Sequence, residues 1–307
     1  MKVMKNILII SAFLFSSVLN AQSKEVLLDD EGSSCPGVSV SSESPNTSQP
    51  ALITSDGKAY SKKCFSSFLN DLVVSLDAAP LVLFVHGRGK HPSKAFQKEN
   101  RLLQNIEKEY GVKVVMFTWP SWCGVTCLPK KNAARASSDL LDVIRLLGTI
   151  KAETKTKQTF SLLTHSMGAF VLKGLISLPL KDISNDIFTS ILISASATPA
   201  KGHEEWVEAL KISHTTYVLR NKKDKTLKCI EGAKFPCFVA FNQPKLLGRW
   251  GKNTHDKSER KTTTEYVDFT GMVGKTHRYY INQQKKSPKV FEFYKAVFNG
   301  QSPQNYN

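Results

Sequence analysis

Four runs of this chain, LVLFV (Leu81–Val85), VKVVMFTW (Val112–Trp119), QTFSLLT (Gln158–Thr164) and FTSILIS (Phe188–Ser194), are short, mostly apolar and separated by segments of helical period. Runs of that length without strict polar alternation suit strands buried on both faces, as in a parallel sheet covered by helices. Between the first two, Phe96, Leu102, Leu103, Ile106 and Tyr110 recur at helical spacing until Gly111. Leu140, Leu141, Ile144 and Leu147 form one stripe of a helix over residues 133–147, MGAFVLKGLISL follows the third run, and EEWVEALKI the fourth. TTYVLR (Thr215–Arg220) and EYVDF (Glu265–Phe269) add two strands, and Ser287-Pro288 opens a last helix that Gly300 closes. Strands alternating with helices predict βαβ units: an α/β fold with a mostly parallel central sheet and helices on both faces. No internal repeat is visible. Residues 78–300 are expected to form one domain.

The chain before that domain reads differently. Met1–Ala21 has two lysines, an apolar stretch Ile7–Leu19 and a small residue before Gln22, the pattern of a secretory signal peptide and shorter than a membrane span. Cleavage there implies export, to the periplasm or the medium. No cysteine follows that point, so a lipoprotein signal is not expected. Residues 22–77 are expected to be a Ser/Pro-rich N-terminal arm, since CPGVSVSSESPNTSQP lacks the apolar content to fold alone. The six cysteines are an even number, which in an exported chain suggests disulfides. Six allow about 15 pairings; the simplest joins neighbours, Cys35 to Cys64, Cys123 to Cys127 and Cys229 to Cys237. No Cys-x-x-Cys pair supports a zinc site, and no metal or cofactor is expected. Loss of Lys2 and Lys5 lowers the net charge from +16 to +14. Such a surface favours anionic partners and permits peripheral membrane contact, while no nucleic-acid motif stands out.

The chemistry centres on Thr164-His165-Ser166-Met167-Gly168. Ser166 lies where a central strand ends and a helix begins, the place for a nucleophile on a tight turn of the Gly-x-Ser-x-Gly type. Gly168 keeps the second small position and Thr164 departs from the first. The backbone N–H of Met167 would face an oxyanion, and His86-Gly87-Arg88-Gly89, after an earlier strand, offers the N–H of Arg88 as second donor. His86 is expected to anchor its turn and His165 to pack beside the serine. Of seven histidines, His277 follows the final strand at loop distance and is the expected general base. Asp224, just past TTYVLR, completes the order serine, acid, histidine. Asp268 lies inside a strand, its side chain directed to a sheet face. Asp182 and Asp186 fall at the wrong end of the sheet.

Together LFVHGRG, VVMFTWPSW, LLTHSMG, RNKKDKTL and THRYY, in order over residues 81–281, resemble an α/β-hydrolase, and more narrowly a bacterial group of largely uncharacterised members. The resemblance implies a serine-hydrolase site and supplies no substrate. SASATPAKG (Ser194–Gly202) departs from the group's Ala-Pro-Asp-like turn, which leaves the local pocket shape open. The expected function is a secreted serine hydrolase of carboxylic esters, esterase- or lipase-like, acting on a small-molecule or lipid-like ester. Two alternatives stand beside it: a catalytically silent binding protein of the cell envelope, and an acyltransferase using the same triad. The insertion at 228–264 carries Phe235, Phe238, Phe241, Leu246, Leu247 and Trp250 among many lysines and arginines. As a flap it would suit an acyl chain on an anionic group; as a surface excursion it would be pinned by Cys229 and Cys237.

Overall fold

The computed structural model describes residues 35, 38–39, 49–76, 79–89, 92–123, 127–181, 183–184, 186–232, 244–251 and 264–303, and of 92–100 the backbone alone. The segment Met1–Ser34, with the expected signal sequence, lies outside them.

In chain order the strands are β1 (Val38–Ser39), β2 (Ala51–Thr54), β3 (Lys58–Ser61), β4 (Leu81–Val85), β5 (Lys113–Thr118), β6 (Phe160–His165), β7 (Phe188–Ser194), β8 (Ser213–Arg220) and β9 (Thr264–Asp268). They form one sheet in the order β1-β3-β2-β5-β4-β6-β7-β8-β9. From β5 through β4 to β9 every pairing is parallel; β2, β3 and β1 extend the edge antiparallel. Every residue of β4 and β6 is buried, as strands with helices over both faces must be.

The helices are α1 (Phe65–Ser75), α2 (Pro92–Tyr110), α3 (Lys130–Thr154), α4 (Gly168–Gly174), α5 (His203–Glu208), α6 (Lys225–Ile230), α7 (Leu247–Trp250), α8 (Gln283–Lys286) and α9 (Pro288–Phe298). α1, α3 and α4 pack together; α2, α8 and α9 form a second group. Tyr110 of α2 stacks on Phe291 and meets Phe298 edge-on, so α9 closes its layer through aromatic contacts. The stripe Leu140, Leu141, Ile144 and Leu147 is buried in α3, which runs beyond the expected helix at both ends.

One boundary moves. The expected arm through residue 77 includes β2, β3 and α1, whose Leu52, Ile53, Phe65 and Leu69 are core. The polar composition is confined to the stretch before Ala51; beyond it Leu52 and Ile53 are fully buried in β2, which pairs with β5, and Phe65, Phe68, Leu69 and Val73 form the buried stripe of α1. Cys35 is joined to Cys64 at the head of α1, and Cys123 to Cys127 in the loop after β5. Cys229 is disulfide-bonded, and its expected partner Cys237 lies outside the described residues. So do residues 233–243 and 252–263 of the insertion, with Phe235, Phe238 and Phe241. Its described part is pinned down: Leu247 N–H donates to Thr198 O and Gly248 N–H to Ser196 O, with Leu246 and Leu247 buried.

Candidate active site

β6 ends at His165, and the next residue, Ser166, has φ of 53°. For a residue with a Cβ that left-handed conformation costs about 1–2 kcal/mol and persists only where neighbours hold it. Here they do. Ser166 N–H donates to Ser194 O at the end of β7, and its carbonyl accepts from Ala169 and Ala197. The turn also needs space. A Cβ on Gly168 would stand 2.5 Å from Val85 O and 2.7 Å from His86 O, and one on Gly87 would stand 2.9 Å from Ser166 Cβ. Both glycines therefore serve one close approach, between the start of α4 and the end of β4.

The loop after β4 is braced from the loop after β5. Trp119 Nε1–H donates to His86 O at 2.9 Å, and Gly89 N–H to Ser121 Oγ at 2.8 Å. The guanidinium of Arg88 lies over the Trp122 ring, 5.1 Å from its centroid. The FTWPSW segment thus positions the Gly87–Arg88 peptide against the serine turn.

Asp224 is fully buried at the N-cap of α6. Its Oδ1 accepts from Leu227 N–H at 3.0 Å, and its Oδ2 lies 2.7 Å from His277 Nδ1. That pairing makes Nδ1 the protonated nitrogen and leaves Nε2 with the lone pair. Asp268 is engaged elsewhere, with Arg220 at 2.6 Å and with Thr270.

Asn221 holds the acid and histidine loops together, and nothing in the sequence marks it. Fully buried, it donates from Nδ2 to Gly274 O and Thr276 O, both at 3.1 Å, and accepts from Lys223 N–H. Tyr279, two residues past His277, donates to Leu219 O and accepts from Ala195 N–H, bridging the ends of β8 and β7.

The other two histidines of the site are held neutral. Burial and the neighbouring His277 keep His165 well below the usual imidazole range, while its Nε2 lies 3.2 Å from the His277 carbonyl and so carries the proton. Burial lowers His86 from its usual 6.5 to about 4. Its Nδ1 lies 2.7 Å from Gly87 O and donates to it, leaving Nε2 to accept Trp119 N–H at 3.4 Å.

Ser166, Met167, Arg88 and His277 all line one cavity of about 340 Å³, with Leu102 and Leu128 on its apolar side. Asp224 stands behind His277, shielded from solvent. The five residues singled out in the sequence converge on one place: four on the cavity wall and the fifth bonded to one of them.

Residues 61–229 match the family described as an alpha/beta hydrolase of unknown function (DUF900). Solved structures similar to this chain include a cold-adapted esterase from an Arctic intertidal metagenomic library, 13% identical, covering 73% of this chain and 85% of that one, with a TM-score of 0.41. Carboxyl esterase 2 of the mycorrhizal fungus Tuber melanosporum is 12% identical, covering 73% and 79%, with a TM-score of 0.38. An esterase of Pyrobaculum calidifontis is 13% identical, covering 72% and 76%, with a TM-score of 0.37. No curated protein matches the sequence.

Proposed function

The chain belongs to the DUF900 family of alpha/beta hydrolases, and from that premise we propose that it is a serine hydrolase of carboxylic esters. The observation that carries this is the 2.7 Å contact between His277 Nδ1 and buried Asp224 Oδ2, beside a serine held at φ 53° on the wall of the same cavity. A silent binding fold has no use for a fully buried acid aimed at a histidine ring.

Ser166 Oγ attacks the ester carbonyl carbon while His277 Nε2 takes its proton. Asp224 fixes the tautomer and stabilises the imidazolium that forms. The backbone N–H groups of Met167 and Arg88 are the proposed donors to the oxyanion. As the tetrahedral intermediate collapses, the C–O bond breaks with its electron pair on the departing oxygen, which takes the proton from His277. Water, deprotonated by His277, then releases the acid from Ser166. Neutral His165, 4.6 Å from His277 ring to ring, adds no second positive charge when the imidazolium forms.

The test is labelling with a fluorophosphonate probe followed by turnover of p-nitrophenyl esters of rising acyl length. Ser166→Ala is expected to fold and to lose both labelling and turnover. Equal labelling of the variant would exclude Ser166 as the nucleophile. Product analysis with an added acceptor alcohol separates hydrolysis from acyl transfer, which would yield a new ester. Export through Met1–Ala21 belongs to the same proposal and is supported by the disulfides at Cys35, Cys123 and Cys229. Protein found in the cytoplasmic fraction with residue 1 intact would contradict it.

A further inference from the structure

Two cavities meet at His277. The first holds Ser166 and the proposed oxyanion donors, and Leu102, Trp122 and Leu128 line its apolar part. The second, about 890 Å³, shares Thr226, His277 and Arg278 with the first but does not reach Ser166. Lys275, Lys286, Asn282 and Gln283 border it. Among the described residues neither cavity is lined by an aspartate or glutamate. The carboxylate of Glu109 accepts the backbone N–H groups of Asn282, Gln283 and Gln284, so it is engaged by the turn that carries that wall. Arg278 stands close enough for its charge to be felt at both His165 and His86.

The reaction gives the two cavities different occupants. His277 returns the proton to the departing oxygen through the same Nε2 that took it from Ser166, so the leaving group lies on the histidine side. The acyl group stays bonded to Ser166 and keeps the other side. A cleft ringed by three cations raises the local concentration of anions, and a guanidinium with ammonium groups matches the several oxygens of a phosphate or carboxylate.

Resting on the ester-hydrolase reading above, we propose that the preferred substrates join an apolar acyl chain to an alcohol bearing an anionic group, phosphate or carboxylate. Lys275, Arg278 and Lys286 receive that group, and Leu102, Trp122 and Leu128 receive the acyl chain.

The probe is a matched set of butyrate esters of substituted phenols: 4-hydroxybenzoate, its neutral amide 4-hydroxybenzamide, and 4-(aminomethyl)phenol as the cationic member. With the full mature chain at low ionic strength, kcat/KM is expected to be about tenfold higher for the carboxylate than for the amide, and lowest for the cation. The advantage should shrink as salt screens the cleft. The double variant Lys275→Gln/Lys286→Gln, and separately Arg278→Gln, should bring the carboxylate-to-amide ratio towards one. Moving the carboxylate to the acyl side, as in p-nitrophenyl hemisuccinate, should give no advantage over the butyrate. A ratio at or below one in wild type overturns the inference while leaving ester hydrolysis standing. No turnover of any member, with no fluorophosphonate labelling, overturns the hydrolase reading itself. Preference for anionic over neutral phospholipid vesicles, without preference in the soluble set, would indicate attraction of the basic chain to a surface and overturns the cleft assignment.

Discussion

Changing Asp224 to asparagine tests the proposed acid more sharply than deletion, because it separates the two jobs of that side chain. One oxygen caps α6 through Leu227 N–H at 3.0 Å; the other meets His277 Nδ1 at 2.7 Å. In Asp224→Asn the amide oxygen keeps the cap, while the NH₂ faces the ring. An NH₂ cannot accept from Nδ1–H, so the imidazole turns to the tautomer with its proton on Nε2, where a base needs a lone pair. Loss of the orienting acid in this way lowers kcat by about 10⁴, with the melting temperature close to wild type. Asp224→Ala loses the cap as well, worth about 1 kcal/mol, and leaves a buried Nδ1–H without an acceptor, about 1–3 kcal/mol more. That variant should therefore be inactive and about 2–4 kcal/mol less stable by the same estimates. Asp268→Asn, whose partners are Arg220 and Thr270, should change kcat only a few-fold, as for a group outside the proton path. The assay is p-nitrophenyl ester turnover per folded protein, with folding checked by near-UV circular dichroism and thermal melts. A folded Asp224→Asn variant retaining more than about a tenth of wild-type kcat, against the expected 10⁴-fold loss, would refute the assignment.

Three further outcomes are expected. Asn221→Ala removes the donor to Gly274 O and Thr276 O; freeing the histidine loop should lower kcat about 10–100-fold with KM little changed, and a loss in KM alone would contradict a positioning role. Gly168→Ala places a Cβ 2.5 Å from Val85 O, where only backbone can move; about 1–3 kcal/mol of stability and most probe labelling should be lost, and normal labelling would show that the turn does not need the close approach. Stability should fall as pH drops from 6.5 towards 4, because His86 stays neutral down to about 4 in the folded chain and His165 behaves alike. An unfolded histidine takes up a proton from about 6.5 downward, so the unfolded state gains protons first and acid favours it. Thermal melts across pH 4–8 read this directly, and a flat profile between pH 6.5 and 4.5 would contradict it.

What the sequence made legible follows from how far each residue's reason extends. β4, β5, β6 and β7 could be read because burial on both faces writes itself into consecutive residues: all five positions of β4 are core. Ser166 was legible for a similar local reason, since the turn needs Gly168 two residues on and an apolar strand behind it. Asp224 sits in between. Its chain order made it a candidate, and its cap on Leu227 is a short-range fact, but its distance to His277 depends on the parallel register of β8 and β9. β2 and α1 go unread because the polar stretch before Ala51 colours the reading of the whole arm, and β2 is only four residues long, with its place between β3 and β5 set by a pairing with a strand far along the chain.

Asn221 and the WPSW loop belong to another class. Their partners are backbone atoms, carbonyls 53 and 55 residues away for Asn221 and an amide 32 residues away for Ser121. Any residue type supplies a carbonyl or an amide, so nothing at Gly274, Thr276 or Gly89 signals the contact from the other end. Such residues are found only when the loops are seen together. They still bear on the proposed chemistry: the loop with Arg88, a proposed oxyanion donor, is held by Trp119 and Ser121, and the loop with His277, the proposed base, by Asn221. The proposed reacting groups are candidates by type and order, whereas the supports around them depend on the fold. In this site those supports are buried side chains spent almost wholly on main chain. A substitution there should therefore alter rate more than substrate choice, while one at Lys275 or Lys286 should do the reverse.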